Sequence, residues 1–157
     1  MKFFHCDRFN FFLPEGHRFP IRKYALLRER IEQSGIVPPE NIIESEPASD
    51  EQILRAHTAE YLQKLKDCTL TEKEQRRLGF PWSPALLERS RRSVGGTIAA
   101  CRAALVEGVA MSLAGGTHHA YPDHGEGFCV FCDVGIAARA MQAEGRAGRI
   151  AILDCDV

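Results

Sequence analysis

Fifteen consecutive residues, Gly115 to Cys129, hold three histidines, two acids and four glycines. They read Gly115-Gly116-Thr117-His118-His119-Ala120 and run on through Asp123-His124-Gly125-Glu126-Gly127-Phe128-Cys129. His118 and His119 are adjacent, so they are not expected to converge on one metal as an i, i+4 pair on a helix does. They suit a different arrangement, in which each imidazole bonds its own orienting carboxylate and both rings face one reacting atom. The blander reading is a pair that caps or hydrogen-bonds within its own loop. The flanking glycines, and a carboxylate pair expected nearby in the sheet, favour chemistry over that reading.

The carboxylate pair is Asp154 and Asp156, in the run Ile150 to Val157. On a strand, residues two apart point to the same side, so the two acids are neighbours at its C-terminal end. Adjacent carboxylates repel, share a proton or bind a cation, and a cation is the economical answer because a buried unpaired carboxylate is costly. The alternative is two solvated acids at a strand end. Other site chemistries are not encoded: the chain has no Gly-x-x-x-x-Gly-Lys phosphate loop, no Gly-x-Ser-x-Gly elbow and no full dinucleotide fingerprint. Cys129 and Cys132 match C-x-x-C, but no second pair accompanies them and their flanks are apolar. Reduced, mostly buried and inert thiols are expected for all six cysteines, with a redox pair as the weaker reading.

The elements that must position these residues follow from the apolar spacing. Met1–Cys6 reads as a first strand, followed by the loop Asp7–Gly16. Pro20 opens a helix with Ile21, Tyr24, Leu27 and Ile31 on one face, stopped by Gly35. Asn41–Glu44 reads as a short strand. Ser49 caps the next helix, with Gln52 completing a capping box, and Leu54, Thr58, Tyr61 and Leu65 form its buried stripe. His57, at the edge of that stripe, is expected to be packed and hydrogen-bonded. Thr71–Arg77 is a charged, solvated segment. Ser83 and Pro84 start a long helix that buries Leu87, Val94, Ile98, Cys101 and Leu105 and ends at Gly108. Gly95-Gly96 inside it predicts close packing against a neighbour, and Arg89, Arg91 and Arg92 are assigned to its solvated face. Val109–Leu113 is a strand, Asp133 caps a helix from Val134 to about Glu144, and Arg149–Val157 is a strand of the buried parallel type. Strand, helix, strand, helix, strand predicts an α/β fold with a largely parallel sheet flanked by helices.

At 157 residues the chain makes one domain, and its 45% hydrophobic and 26% charged content predicts a packed core. A net charge of −1 argues against a nucleic-acid surface. No apolar run reaches membrane-spanning length and the start lacks a signal-peptide core, so the cytoplasm is the expected location.

Together, Gly115-Gly116-Thr117-His118-His119-Ala120, Gly127-Phe128-Cys129 and Ile152-Leu153-Asp154-Cys155-Asp156-Val157 resemble the zinc-dependent histone deacetylase family. That family includes bacterial acetylpolyamine and acetoin-utilisation relatives. The resemblance extends back through Ser49–Leu65, with His57, Tyr61 and Leu62, to Leu13–Pro20. The related arginases carry an Asp-x-His-x-Asp run that is absent here. The resemblance implies hydrolysis of N-acyl amides such as acetyl-lysine or acetylpolyamine, with zinc as cofactor. It makes Asp156 the first zinc ligand, His119 the general base and acid, and His118 its electrostatic partner. Asp154 would orient His118 and help bind a monovalent cation such as K+. Gly127 and Phe128 would line the acyl-lysine tunnel, and Arg18 resembles an arginine near the product exit. Cys132 stands where the family has Asn, which implies a local loss of hydrogen bonding.

In the family, the second zinc ligand is a histidine that would follow Val157, and a third ligand and a tyrosine come later. The resemblance therefore implies that residues 1–157 are the N-terminal half of a single arginase/deacetylase-like domain, incomplete at the C-terminus. Alone, such a fragment is expected to be inactive, to bind zinc weakly, and to self-associate through open strand edges. The competing readings are a non-catalytic remnant or interaction module, and a thiol-based protein using Cys129 and Cys132.

Overall fold

The computed structural model of the chain describes residues 1–156. Strands β1 (Lys2–His5), β2 (Ile42–Glu44) and β3 (Ala110–Ser112) form one sheet in the order β2-β1-β3. Both pairings are parallel, with Phe3 facing Ile42 on one side and Met111 on the other. Parallel neighbours require crossovers, and helices supply them. Helix α1 (Lys23–Ser34) lies between β1 and β2, and α2 (Asp50–Ile53), α3 (Ala59–Lys66), α4 (Glu72–Leu78) and α5 (Pro84–Glu107) lie between β2 and β3. After a long loop comes α6 (Asp133–Ala143). This is the parallel α/β architecture that the strand-helix alternation predicts.

The longest helix, α5, is the spine. Ser83 Oγ accepts from Leu86 N–H, Pro84 fills the first turn, and Gly108 N–H closes the last turn on Ala104 O. Gly95 and Gly96 let it lie directly on the chain leaving β2. A Cβ on Gly95 would sit 1.9 Å from Glu46 O, and one on Gly96 2.5 Å from Ser45 Oγ. The larger core joins α3 to α6 through Leu65, Leu78, Leu86, Ile98, Ile136 and Met141. A smaller one, Phe3, Ile31, Val37 and Leu113, involves β1 and α1. Among the described residues, no helix is long and apolar enough to cross a membrane.

Several sequence expectations fail, each for a tertiary reason. The capping box at Ser49 forms, but α2 stops at Ile53 and Thr58 caps a separate α3. Of the expected stripe, Leu54 and Thr58 are exposed while Tyr61 and Leu65 are buried, joined by Ile53 and Leu62. Helix α1 starts at Lys23 rather than Pro20, and Leu27 is exposed. Thr71–Arg77, expected only as a charged segment, forms α4, with Thr71 and Glu74 as a second capping box. In α5, Leu105 is exposed and Leu87 and Cys101 are half-buried. Arg89 is not solvated but buried, donating from Nη1 to Cys6 O at 3.0 Å, with Cζ 4.4 Å over the Tyr24 ring. Arg91 and Arg92, also assigned to a solvated face, are half-buried and paired with Asp50 and Glu88. The thiols are less buried than expected: only Cys6 and Cys129 are buried, and Cys68 and Cys155 are exposed.

The predicted strand Arg149–Val157 is not formed over residues 149–156, and Val157 lies outside the described residues. A strand is held by its ladder, and this segment pairs with no neighbour in the sheet. Ile152 and Leu153 are exposed there, as is Met111 on the edge strand β3.

Candidate active site

The chain leaving β3 is held at each step. Leu113 N–H donates to Phe4 O at 2.8 Å, and from α5 Ser93 Oγ donates to Ala114 O at 2.7 Å. The next residues hang from one carboxylate, that of Asp133. Its Oδ1 accepts from Thr117 N–H at 2.8 Å and Thr117 Oγ1 at 2.7 Å, and its Oδ2 from Gly116 N–H at 3.2 Å and Thr97 Oγ1 at 2.6 Å. Asp133 is fully buried. It was expected as the cap of α6, but Cys132 holds that position and its side chain makes no capping bond. Asp133 is the first helical residue, where the helix dipole favours a negative charge, and its carboxylate turns back to the loop.

Beyond Thr117 the two histidines converge. His118 Nε2 lies 3.0 Å from His119 Nε2, close enough for one ring to donate to the other. Asp154 Oδ2 is 3.3 Å from His118 Nδ1, and Asp156 Oδ2 is 3.5 Å from His118 Nε2. Donor atoms of His118, His119 and Asp156 all lie within 4.8 Å of one another. Adjacency in sequence therefore does not keep the two rings from one metal-sized spot, contrary to the sequence argument. Of the two orienting carboxylates expected, one is present: Asp154 faces His118, and among the described residues no acid pairs with His119. Asp154 and Asp156 are exposed rather than buried, and come together without the strand expected to align them.

Gly127 packs against this pair. Its φ is +56°, and an added Cβ would lie 3.0 Å from His119 Cδ2. Phe128 also has positive φ, 68°, a conformation that side chains disfavour. It is held by Phe128 N–H to Leu78 O at 2.8 Å and by Gly127 N–H to Arg77 O at 3.2 Å. The Phe128 ring joins an aromatic cluster, 4.9 Å from Phe80 and 5.2 Å from Phe19 between centroids. Arg18 is exposed and lies with Cζ 4.9 Å over the Phe128 ring, so it meets the site through that ring.

The loop's far end is clamped by His57, buried as the sequence suggested. Its Nδ1 is 3.3 Å from Pro122 O, and its Nε2 accepts from Cys132 N–H at 3.0 Å. Burial pushes its pKa down, against the raising effect of the Pro122 carbonyl, which suits a neutral ring donating from Nδ1. Tyr61 Oη adds a bond to Val130 O at 2.9 Å. Burial lifts the Cys129 thiol to about 11 and raises that of Cys132, and all six cysteines are free. Thiols so placed are poor nucleophiles, which removes support from the redox reading.

The placement itself is telling: His118 and His119, on the loop leaving the C-terminal end of parallel strand β3, meet Asp156 of the C-terminal segment at the ligand position of open α/β folds. The model of the histone deacetylase domain matches residues 17–157. An uncharacterised protein of Picosynechococcus sp. is 41% identical over 145 residues, covering 92% of this chain and 48% of that protein. The histone deacetylase-like amidohydrolase of Pseudomonas aeruginosa is 35% identical over 148 residues, covering 90% and 38% respectively. The crystal structure of a histone deacetylase homologue from Aquifex aeolicus superposes with a TM-score of 0.72 at 25% identity, covering 92% of this chain and 41% of that one. The chain belongs to the histone deacetylase family. It spans about half or less of the length of the curated relatives it matches.

Proposed function

We propose that residues 1–157 form the N-terminal half of a single deacetylase domain that hydrolyses N-acyl amides such as acetyl-lysine or acetylpolyamine, with zinc, in the cytoplasm. The observation that carries this reading is the convergence of His118 Nε2 on His119 Nε2 at 3.0 Å, with Asp156 Oδ2 3.5 Å from the former. An exposed Asp156 carboxylate oxygen is a donor of the type zinc takes, and His118 Nε2 at 3.5 Å from it leaves the imidazoles beside a bound ion rather than around it. Asp156 would be its ligand in this chain. Zinc, when bound, polarises the acyl carbonyl and makes a water nucleophilic near neutral pH.

The chain's own groups handle the proton. At 3.0 Å the two Nε2 atoms are within reach of a shared proton, so a proton taken up by one ring can be passed to or stabilised by the other. His119, the more exposed ring, takes the proton from the attacking water and returns it to the leaving amine. His118 stabilises the charge that develops beside it, with Asp154 Oδ2 3.3 Å from its Nδ1 to orient the ring. The further role of Asp154 toward a monovalent cation, and those of Phe128 and Arg18 toward substrate, rest on the family resemblance. Gly127 leaves room for the His119 ring.

The test compares chain 1–157 with a longer polypeptide that continues over the length of the relatives. The longer protein is expected to release acetate from an acetyl-lysine peptide with zinc, and chain 1–157 to release none. Zinc-dependent release by 1–157 alone, lost in His119→Ala, would overturn the half-domain reading. No release by either would favour an interaction module.

A further inference from the structure

The histidines meet at 3.0 Å although both lie on a loop rich in glycine and neither belongs to a helix or strand. Gly115 and Gly116 make the approach to them flexible by composition, and Gly116 has φ +90°. Something outside the loop must fix where Thr117 ends and His118 begins. We infer that Asp133 is the positioning residue of the His118–His119 pair: its carboxylate fixes the backbone of Gly116 and Thr117 and thereby sets where both imidazoles point. The meaning of the pair rests on the deacetylase reading. The positioning does not.

Three observations converge on Asp133. Its carboxylate takes four donors, three of them from Gly116 and Thr117. The bond to Thr117 is reciprocal, since Asp133 N–H donates back to Thr117 Oγ1 at 3.2 Å. A capping box joins a helix to its own first turn, but this exchange spans 16 residues and ties a catalytic loop to the start of α6. The fit leaves no slack: a Cβ on Gly115 would sit 2.7 Å from Asp133 Oδ2 and 3.0 Å from Thr97 Oγ1. Thr97 reaches the same Oδ2 from α5, so the loop is registered against two helices at once. Hydrogen bonds to an ionised acceptor are stronger than neutral ones, and stranding buried donors costs more than the bond itself contributes.

The discriminating variant is Asp133→Asn, which keeps the shape and replaces one acceptor oxygen with a donor. It is studied by NMR in chain 1–157 at one fixed pH. Amide exchange at Gly116 and Thr117 is expected to rise about tenfold or more, as loss of one charge-assisted bond implies. The ring-to-ring contact of His118 with His119 and the contact of Gly127 with His119 should weaken, while β1–β2 contacts stay as in the wild type. If the rings keep their contacts while only thermal stability falls, Asp133 is a structural residue and the inference is wrong. Should Asp133→Asn fail to fold, Thr117→Val removes only the hydroxyl and must displace the rings, and Thr117→Ser must restore them. Unmoved rings in Thr117→Val also overturn the inference. None of these readouts needs acetate release, so displaced rings in Asp133→Asn together with no release by the longer wild-type protein would count against the deacetylase reading alone.

Discussion

Gly127→Ala separates backbone strain from the fit of the site. At φ +56° an alanine pays the left-handed penalty of about 1 kcal/mol, and its Cβ would stand 3.0 Å from His119 Cδ2 and 3.1 Å from Cγ. Ordinary van der Waals contact needs a few tenths of an ångström more. His119 is exposed, so its ring can swing away at little further cost. The backbone therefore sets the loss of stability, and the steric contact sets the loss of geometry. Gly35→Ala is the control, because Gly35 has φ +64° with nothing within 4 Å of its Cβ. Both variants should lower the melting temperature by about 2–4 °C, the shift expected for ~1 kcal/mol in a chain of this size. Only Gly127→Ala should lose the His118–His119 ring contact in NMR and, in an active protein, lower kcat. If Gly127→Ala keeps the ring contact, or if Gly35→Ala loses it too, the packing argument fails.

Three further outcomes follow from other parts of the fold. His57 is held neutral, its pKa pushed below the ordinary 6.5 by burial, so the unfolded chain takes up its proton first as pH falls. Its contribution is complete above about 6.5 and is lost on acidification through its folded pKa; thermal melts from pH 7.5 to 5 should show a decline that His57→Gln flattens, and an identical decline in both would refute the assignment. Gly95→Ala gains about 1 kcal/mol of helix propensity but places a Cβ 1.9 Å from Glu46 O, so overpacking wins and a net loss of about 1–3 kcal/mol is expected by chemical denaturation. An increase in stability would contradict the contact of α5 with the β2–α2 connection. Alkylation at pH 8 without reductant should label exposed Cys68 and Cys155 first and the buried Cys6 and Cys129, whose thiols burial pushes up, last. A Cys129–Cys132 linkage found by mass spectrometry would revive the thiol reading.

What the sequence made legible was local. The apolar runs of β1, β2 and β3 and the span of α6 lie within one or two residues of expectation, because each is bounded by its own turn and cap signals. The capping box at Ser49 and the demand for close packing at Gly95-Gly96 were equally local and equally readable. What failed depended on partners far along the chain. Arg89 is buried because Cys6 O, 83 positions away, accepts from it. The break after Ile53 turns His57 toward Pro122 and Cys132, and no helical period could announce that. Residues 150–156 have strand composition but no paired neighbour, and composition alone does not make a ladder. In the site, the loop histidines and the two aspartates were singled out by residue type, and the fold brings them together. Asp133 was noticed only as a cap, since a carboxylate at a helix start reads the same whether it faces its own turn or a distant loop.

The proposed chemistry places the moving proton on His119 and the zinc on Asp156. The most direct measurement is acetate release from an acetyl-lysine peptide by the longer protein containing these residues, with and without a zinc chelator, in wild type and His119→Ala. The expected result is activity that chelation abolishes and zinc restores, lowered by about 10²-fold or more in His119→Ala, the range for losing a general acid–base group. Zinc-dependent release at wild-type rate in His119→Ala, or release indifferent to chelation, would contradict it.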